Sequence, residues 1–106
     1  MTTTPEELLD LLKYDIITDS NRTTIYRFNG KIHRDEDQPA VIETNGTTGW
    51  YKDGYLHRDN DLPAVIFADG TKVWYKDGWQ HRDNDQPAVI KANGDKWWYK
   101  DGKLIR

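Results

Sequence analysis

The sequence predicts an all-β protein: a single-layer antiparallel meander of 24-residue repeats, with a short N-terminal α-helix as its cap. Three observations lead there. The block His57-Arg-Asp-Asn-Asp-Leu-Pro-Ala-Val-Ile recurs with one change 24 residues later from His81 and, with two changes, 24 residues earlier from His33. Each copy carries two Gly turns, Asn45-Gly46 and Asp53-Gly54, Asp69-Gly70 and Asp77-Gly78, Asn93-Gly94 and Asp101-Gly102. Between the turns lie short runs rich in Val, Ile, Trp and Tyr, the residues of pleated, half-buried strands. A period of this length marks stacked supersecondary units that bury their apolar faces only against neighbours.

From the N-terminus, Thr4-Pro5-Glu6-Glu7 combines an N-cap, a Pro at the first helical position and a Glu at the third. Leu8, Leu9, Leu11 and Leu12 follow as an apolar stripe, so residues 1–13 are assigned to a capping segment with a helix from Pro5 to Lys13. Its Leu face either covers the first unit or docks on a partner or a second copy. Residues 14–106 form the repeat domain: a degenerate unit over about 14–32, then units from 33, 57 and 81. Ile105-Arg106 stands where a further His-Arg pair would begin.

Asn-Gly and Asp-Gly loops of two residues favour the type I′ hairpin. Applied to both turns of a unit, this places Ile66 opposite Val73, Val65 opposite Trp74 and Ala64 opposite Tyr75 around the first turn. Around the second it places Tyr75 opposite Gln80 and Trp74 opposite His81. Alternation then puts Val65, Trp74 and His81 on one face and Ala64, Ile66, Val73 and Tyr75 on the other. Both faces are substantially apolar, so the sheet must curl, be covered or associate.

Composition bounds the function. At 106 residues the chain buries roughly 65% of its unfolded surface, enough for one core. Five Trp and six Tyr supply large apolar areas, and with no Cys there are neither disulfides nor thiolate metal sites. A net charge of -3 with mixed signs lacks the basic surface of a nucleic-acid or membrane binder. No run nears the ~20 apolar residues of a membrane span, and the first residues do not read as a secretory signal, so a cytoplasmic location is expected.

No motif supports catalysis, and no catalytic residue or cofactor is expected. The His-Arg-Asp triplets lack every other part of a kinase site. The three His sit one unit apart, two strand spacings or ~10 Å, too far for one zinc ion; each is expected to pack on the Trp or Tyr opposite it. Asp59-Asn-Asp61 and its copies begin like a calcium loop, but Pro follows at once, and Asp and Asn are ordinary turn residues. No metal site is assigned.

Two binding readings remain. In the first, a protein partner is taken by the aromatic row Trp50, Trp74 and Trp98 together with Tyr55, Phe67 and Trp79, the last two being large apolar residues where other copies carry charge (Glu43 and Lys91; Lys103). In the alternative, a nucleotide or sugar stacks on the Trp row, with His33, His57 and His81 beside it and Arg34, Arg58 and Arg82 for its charge. The unpaired edge of the last strand and the doubly apolar sheet also offer routes to a homodimer.

The pattern Trp-Tyr-Lys-Asp-Gly-x-x-His-Arg, at Trp50 through Arg58 and Trp74 through Arg82, resembles the MORN repeat family. It is most similar to the MORN-like arrays with His-Arg and Pro-Ala blocks found in bacteria, phages and large DNA viruses. The likeness covers about Tyr14 to Arg106; it departs in the Arg that follows each His and in a period one residue longer. The resemblance implies a curled antiparallel sheet used for protein association, without catalysis. It suggests a phage accessory protein that binds and inhibits a host protein, such as a defence factor, in the host cytoplasm.

Overall fold

The computed structural model describes residues 4–106, excluding the side chains of Glu7, Asp10 and Leu11. It is an antiparallel meander of hairpins, 47 Å long and about 25 Å across. Helix α1 spans Pro5–Leu12, opened by a bond from the Leu8 amide to the Thr4 carbonyl at 3.0 Å. The expected reach of Glu7 back to Thr4, and the place of Leu11 in the apolar stripe, lie outside the described residues. The expected capping role is not seen. Leu8, Leu9 and Leu12 are 52%, 70% and 77% exposed, so these side chains are not buried against the sheet. The first unit is sealed instead by Tyr14, which is buried edge-on to Tyr26 and Phe28 and whose hydroxyl accepts the Asp35 amide at 2.9 Å.

Fifteen short strands follow. They are β1 (Asp15–Thr18), β2 (Thr24–Phe28), β3 (Lys31–Ile32), β4 (Val41–Ile42), β5 (Thr48–Gly49), β6 (Tyr51–Lys52), β7 (Tyr55–Leu56) and β8 (Val65–Ile66). Then come β9 (Lys72–Val73), β10 (Tyr75–Lys76), β11 (Trp79–Gln80), β12 (Val89–Ile90), β13 (Lys96–Trp97), β14 (Tyr99–Lys100) and β15 (Lys103–Leu104). The expected single layer is divided. One long sheet runs β1-β2-β4-β5-β8-β9-β12-β13, with β3 on β2, while β6-β7, β10-β11 and β14-β15 are separate two-stranded hairpins. The division falls at Trp50, Trp74 and Trp98, each between a long-sheet strand and a hairpin strand. There the Trp74 amide donates to Ala88 O in the next unit at 2.8 Å, while its carbonyl accepts the His81 amide at 3.1 Å.

The two Gly turns differ, and this corrects the expected register. At Asp77-Gly78 both residues have positive φ, 49° and 86°, and Tyr75 pairs with Gln80 as a type I′ loop requires. At Asp69-Gly70 only Gly70 does, with φ 95°, and the Phe67 amide bonds to Thr71 O while the Gly70 amide bonds to Phe67 O, each at 2.9 Å. That is a three-residue loop closed by a left-handed Gly, and Asp69 Oδ1 secures it by accepting the Thr71 amide at 2.8 Å. One extra loop residue shifts the pairing by one, so Val65 faces Val73 and Ile66 faces Lys72. Every side chain of the partner strand changes face as a result.

Val41, Gly49, Val65, Val73, Val89 and Trp97 therefore form one file across the long sheet, and Ile42, Thr48, Ile66, Lys72, Ile90 and Lys96 the other. Val73 therefore does not share a face with Ile66, contrary to the two-residue-loop expectation. The core combines Tyr14, Val73, Trp74 and Val89 with a row of small residues at its centre. Ala40, Ala64 and Ala88 are fully buried, and the Ala64 amide bonds to Val73 O at 2.9 Å while its carbonyl accepts the Trp50 amide at 2.7 Å.

Candidate functional site

A side-chain lattice joins each unit to the next, and it uses most of the residues expected to bind a ligand. The guanidinium carbon of Arg58 lies 3.7 Å from the Trp50 ring centre, and that of Arg82 lies 3.8 Å from Trp74. Arg34 covers Tyr26 in the same way, and Arg106 covers Trp98. Arg58 also donates from Nε and Nη2 to both carboxylate oxygens of Asp37, at 2.8 and 3.2 Å, and from Nη1 to Pro63 O at 3.1 Å. Arg82 repeats this with Asp61 and Pro87, and Arg106 pairs with Asp85. The indole N–H of Trp74 donates to Asp61 O at 3.0 Å, so Trp, Arg and the acidic turn close on one another.

Thus Arg, not His, packs on Trp50, Trp74 and Trp98, while the His33 ring lies 5.9 Å from that of Phe28. The imidazoles work as joints. Nδ1 of His33, His57 and His81 accepts the amide of Asp53, Asp77 and Asp101, at the far turn of the same unit, at 3.0 to 3.1 Å. A backbone amide only donates, so Nδ1 is unprotonated in this bond and Nε2 carries the proton. It donates to Asp35, Asp59 and Asp83 at 2.7 to 2.8 Å. These bonds hold each carboxyl below its ordinary value, with Lys13 adding to the effect on Asp35. Among the described residues no group of three or more His, Asp or Glu is arranged to hold a metal ion.

The acidic turns owe their shape to the same sequence block. Asn60 and Asp61 have φ of 63° and 56°, Asn84 and Asp85 62° and 56°, so the calcium-like Asp-Asn-Asp is a tight left-handed turn before Pro. Clefts of about 330 and 440 Å³ lie between successive His-Arg rows, lined by Asp35, Arg58 and their equivalents. Their His and Arg walls are these already paired groups, with Glu36, Lys52 and Asn60 beside them in the first cleft.

A different concavity lies on the Val face. Tyr51 and Leu56 fold over the sheet at Gly49, whose missing Cβ would stand 3.3 Å from Tyr51 Cε1 and 3.8 Å from Leu56 Cδ2. Burial there pushes the Tyr51 phenol above its ordinary value, with Tyr75 and Glu43 adding to the effect. One unit further along the space stays open. A trough of about 510 Å³ is lined by Phe67, Val73 and Val89, with Thr47, Thr71, Gln80 and Lys91 around them. Thr47 and Thr71 are buried at its floor, their hydroxyls accepting the Ala68 and Ala92 amides at 3.1 and 3.2 Å. Phe67 is 44% exposed.

The other expected partner residues divide between roles. Trp74 is buried, and Trp50 and Trp98 are half-buried beneath their Arg. Tyr55 and Trp79 are 61% and 62% exposed, yet each lies on the Gly of the next hairpin turn. A Cβ on Gly78 would stand 3.0 Å from Tyr55 Cδ1, and one on Gly102 would overlap Trp79 Cε3. Their size therefore has a packing reason that the repeat alone did not disclose. Val73 and Val89 of the trough were not expected at a site, because the two-residue loop put Val73 on the other face. Counting three residues, not two, into the Asp69-Gly70 loop is the signal that finds them.

Comparison with protein-family models, with curated proteins and with solved structures found no match.

Proposed function

We propose that the chain is a non-enzymatic protein-interaction module of MORN-like type, whose trough takes an apolar segment of a partner protein. One observation carries this reading: the trough is open and offers exposed Phe67 beside Val73 and Val89 within a polar rim, while the His and Arg side chains that would read a small ligand are paired within the array. Burial of a partner side chain against Phe67 would create the compact apolar centre that dominates protein interfaces. Equivalent positions Glu43, Phe67 and Lys91 run acid, apolar, base along the array, which gives the surface a direction. The resemblance to phage and viral arrays is the support for extending the proposal to a host protein, blocked by binding in the host cytoplasm.

The test is affinity capture from bacterial lysate with the wild type and Phe67→Asp, alongside light scattering of the array alone. A stoichiometric protein retained by the wild type and lost by the variant supports the proposal. Light scattering that reports a dimer converted to monomer by Phe67→Asp assigns the trough to a second copy instead. Capture of no protein, from a monomeric array, rejects it.

A further inference from the structure

Three Asn-Gly pairs share a sequence but differ in hydrogen bonding. At Asn45-Gly46 the Gly amide donates to Glu43 O at 3.0 Å and Asn45 Oδ1 accepts the Thr47 amide at 2.9 Å. At Asn93-Gly94 the Gly amide donates to Lys91 O at 2.9 Å, and the Asn93 side chain bonds to the Asp95 amide and carboxylate at 3.0 and 3.2 Å. At Asn29-Gly30, among the described residues, neither the Gly30 amide nor the Asn29 side chain has a hydrogen-bond partner. The repeat explains the difference. Gly54, Gly78 and Gly102 occupy the same turn position and donate to Ile32, Leu56 and Gln80 of the preceding unit at 2.8 to 2.9 Å. Gly30 lies in the first unit and has no such carbonyl before it.

We propose that Asn29 is a site of spontaneous modification, converting through a cyclic imide to aspartate and isoaspartate, while Asn45 and Asn93 are protected. Asn29 and Gly30 have φ of 52° and 79° in a type I′ loop between the paired Phe28 and Lys31. Rotating the peptide plane between them gives a type II′ loop, moving ψ of Asn29 from about +30° to about −120°. That rotation points the Gly30 nitrogen at the Asn29 side-chain carbon. It breaks no hydrogen bond and keeps the Phe28–Lys31 pair, whereas turning Gly46 or Gly94 breaks the bond that closes its loop. A Cβ at Gly30 would meet nothing within 4 Å, so the loop has room to turn.

The chemistry needs only water. The Gly30 nitrogen gives up its proton and attacks the Asn29 amide carbon; the new C–N bond forms as the bond to Nδ2 breaks, and ammonia leaves with the proton. Water then opens the imide. Cleavage of the bond from nitrogen to the side-chain carbon yields aspartate; cleavage of the bond to the main-chain carbon yields isoaspartate, with one more methylene in the backbone. Aspartate gives the first turn the acid that Asp53, Asp77 and Asp101 carry in the others. Isoaspartate lengthens a loop whose register fixes β2 against β3. Either product adds one negative charge at the helix-bearing end of the array.

The experiment holds the full chain in mildly alkaline buffer, natively and in urea, and follows tryptic peptides by mass spectrometry with chromatographic separation of the isomers. Cleavage after Arg27, Lys31, Arg34, Lys52, Lys91 and Lys96 puts the three Asn-Gly pairs in different peptides. The expected native result is conversion at Asn29 at least about tenfold faster than at Asn45 or Asn93, the ratio collapsing in urea where all three loops are free. A smaller native ratio, or one that persists in urea, overturns the proposal.

Discussion

Replacing Arg82 by Lys keeps the charge but removes the planar fork, and the structure says what that costs. Arg82 donates from Nη1 to Pro87 O at 3.1 Å, from Nε and Nη2 to Asp61 at 2.9 and 3.2 Å, and stacks 3.8 Å from the Trp74 ring centre. A bond from a charged donor contributes about 1.5–3 kcal/mol, of which an ammonium retains a part at one acceptor only. The stack contributes about 0.5–1 kcal/mol, and the ion pair about 0.2–1 kcal/mol, placed low because the Asp61 side chain is 56% exposed. Arg82→Lys should therefore lose about 2 kcal/mol, a large share of the stability of a domain this small. Arg34 supplies the control. It stacks on Tyr26 and donates to Pro39 O, but among the described residues it has no acidic partner, since Lys13 stands one period before Asp37. Arg34→Lys should lose about 1 kcal/mol, and adding Asp61→Asn should narrow the gap. Urea denaturation followed by Trp emission measures all of these as midpoint shifts at constant slope. Arg82→Lys within about 0.3 kcal/mol of the wild type, or less damaging than Arg34→Lys, would refute the claim that this lattice holds the units together.

Gly102→Ala should lower the melting temperature more than Gly54→Ala, by about 1 kcal/mol or more in stability, since both sites have positive φ but only the first adds a Cβ against the Trp79 ring. Trp79→Ala in the same chain should erase most of that difference. Glu36 holds φ 64° where the other units have Asn60 and Asn84, so Glu36→Asn should raise stability by about 0.5–1 kcal/mol in thermal denaturation. Acid should destabilise the array through Asp35, Asp59 and Asp83, whose folded values lie below the ordinary 3.8 because His33, His57 and His81 donate to them. Their contribution is complete above the unfolded value and lost as pH falls through the lowered folded one. Denaturation midpoints should therefore drop below about pH 4, and Asp59→Asn should flatten the drop.

Much of this architecture was legible in the sequence, for identifiable reasons. The period fixes which residues are equivalent, and Asp77-Gly78 takes the two-residue loop its composition favours, so Tyr75 and Gln80 pair as expected. The neighbouring turn has the same dipeptide, Asp69-Gly70, but uses Ala68 as a third loop residue, a choice secured by Asp69 bonding to the Thr71 amide and invisible in composition. That one residue relocated Val73 and hid the trough. The His and Arg rows were legible as rows but not in role. Alternation assigns a side chain to a face, whereas Arg58 reaches across to Trp50 and to Asp37, 21 positions earlier. The Leu stripe of α1 showed an apolar face without naming what it covers, and its described residues Leu8, Leu9 and Leu12 stand exposed.

Hydrogen–deuterium exchange of the array with and without a captured partner tests most directly whether the joints are structural and the trough is the contact surface. The account predicts new protection in segments 65–73 and 87–91, with the His-Arg-Asp segments 57–61 and 81–85 unchanged. Protection confined to those His-Arg-Asp segments, with the trough exchanging as in the free array, would contradict it.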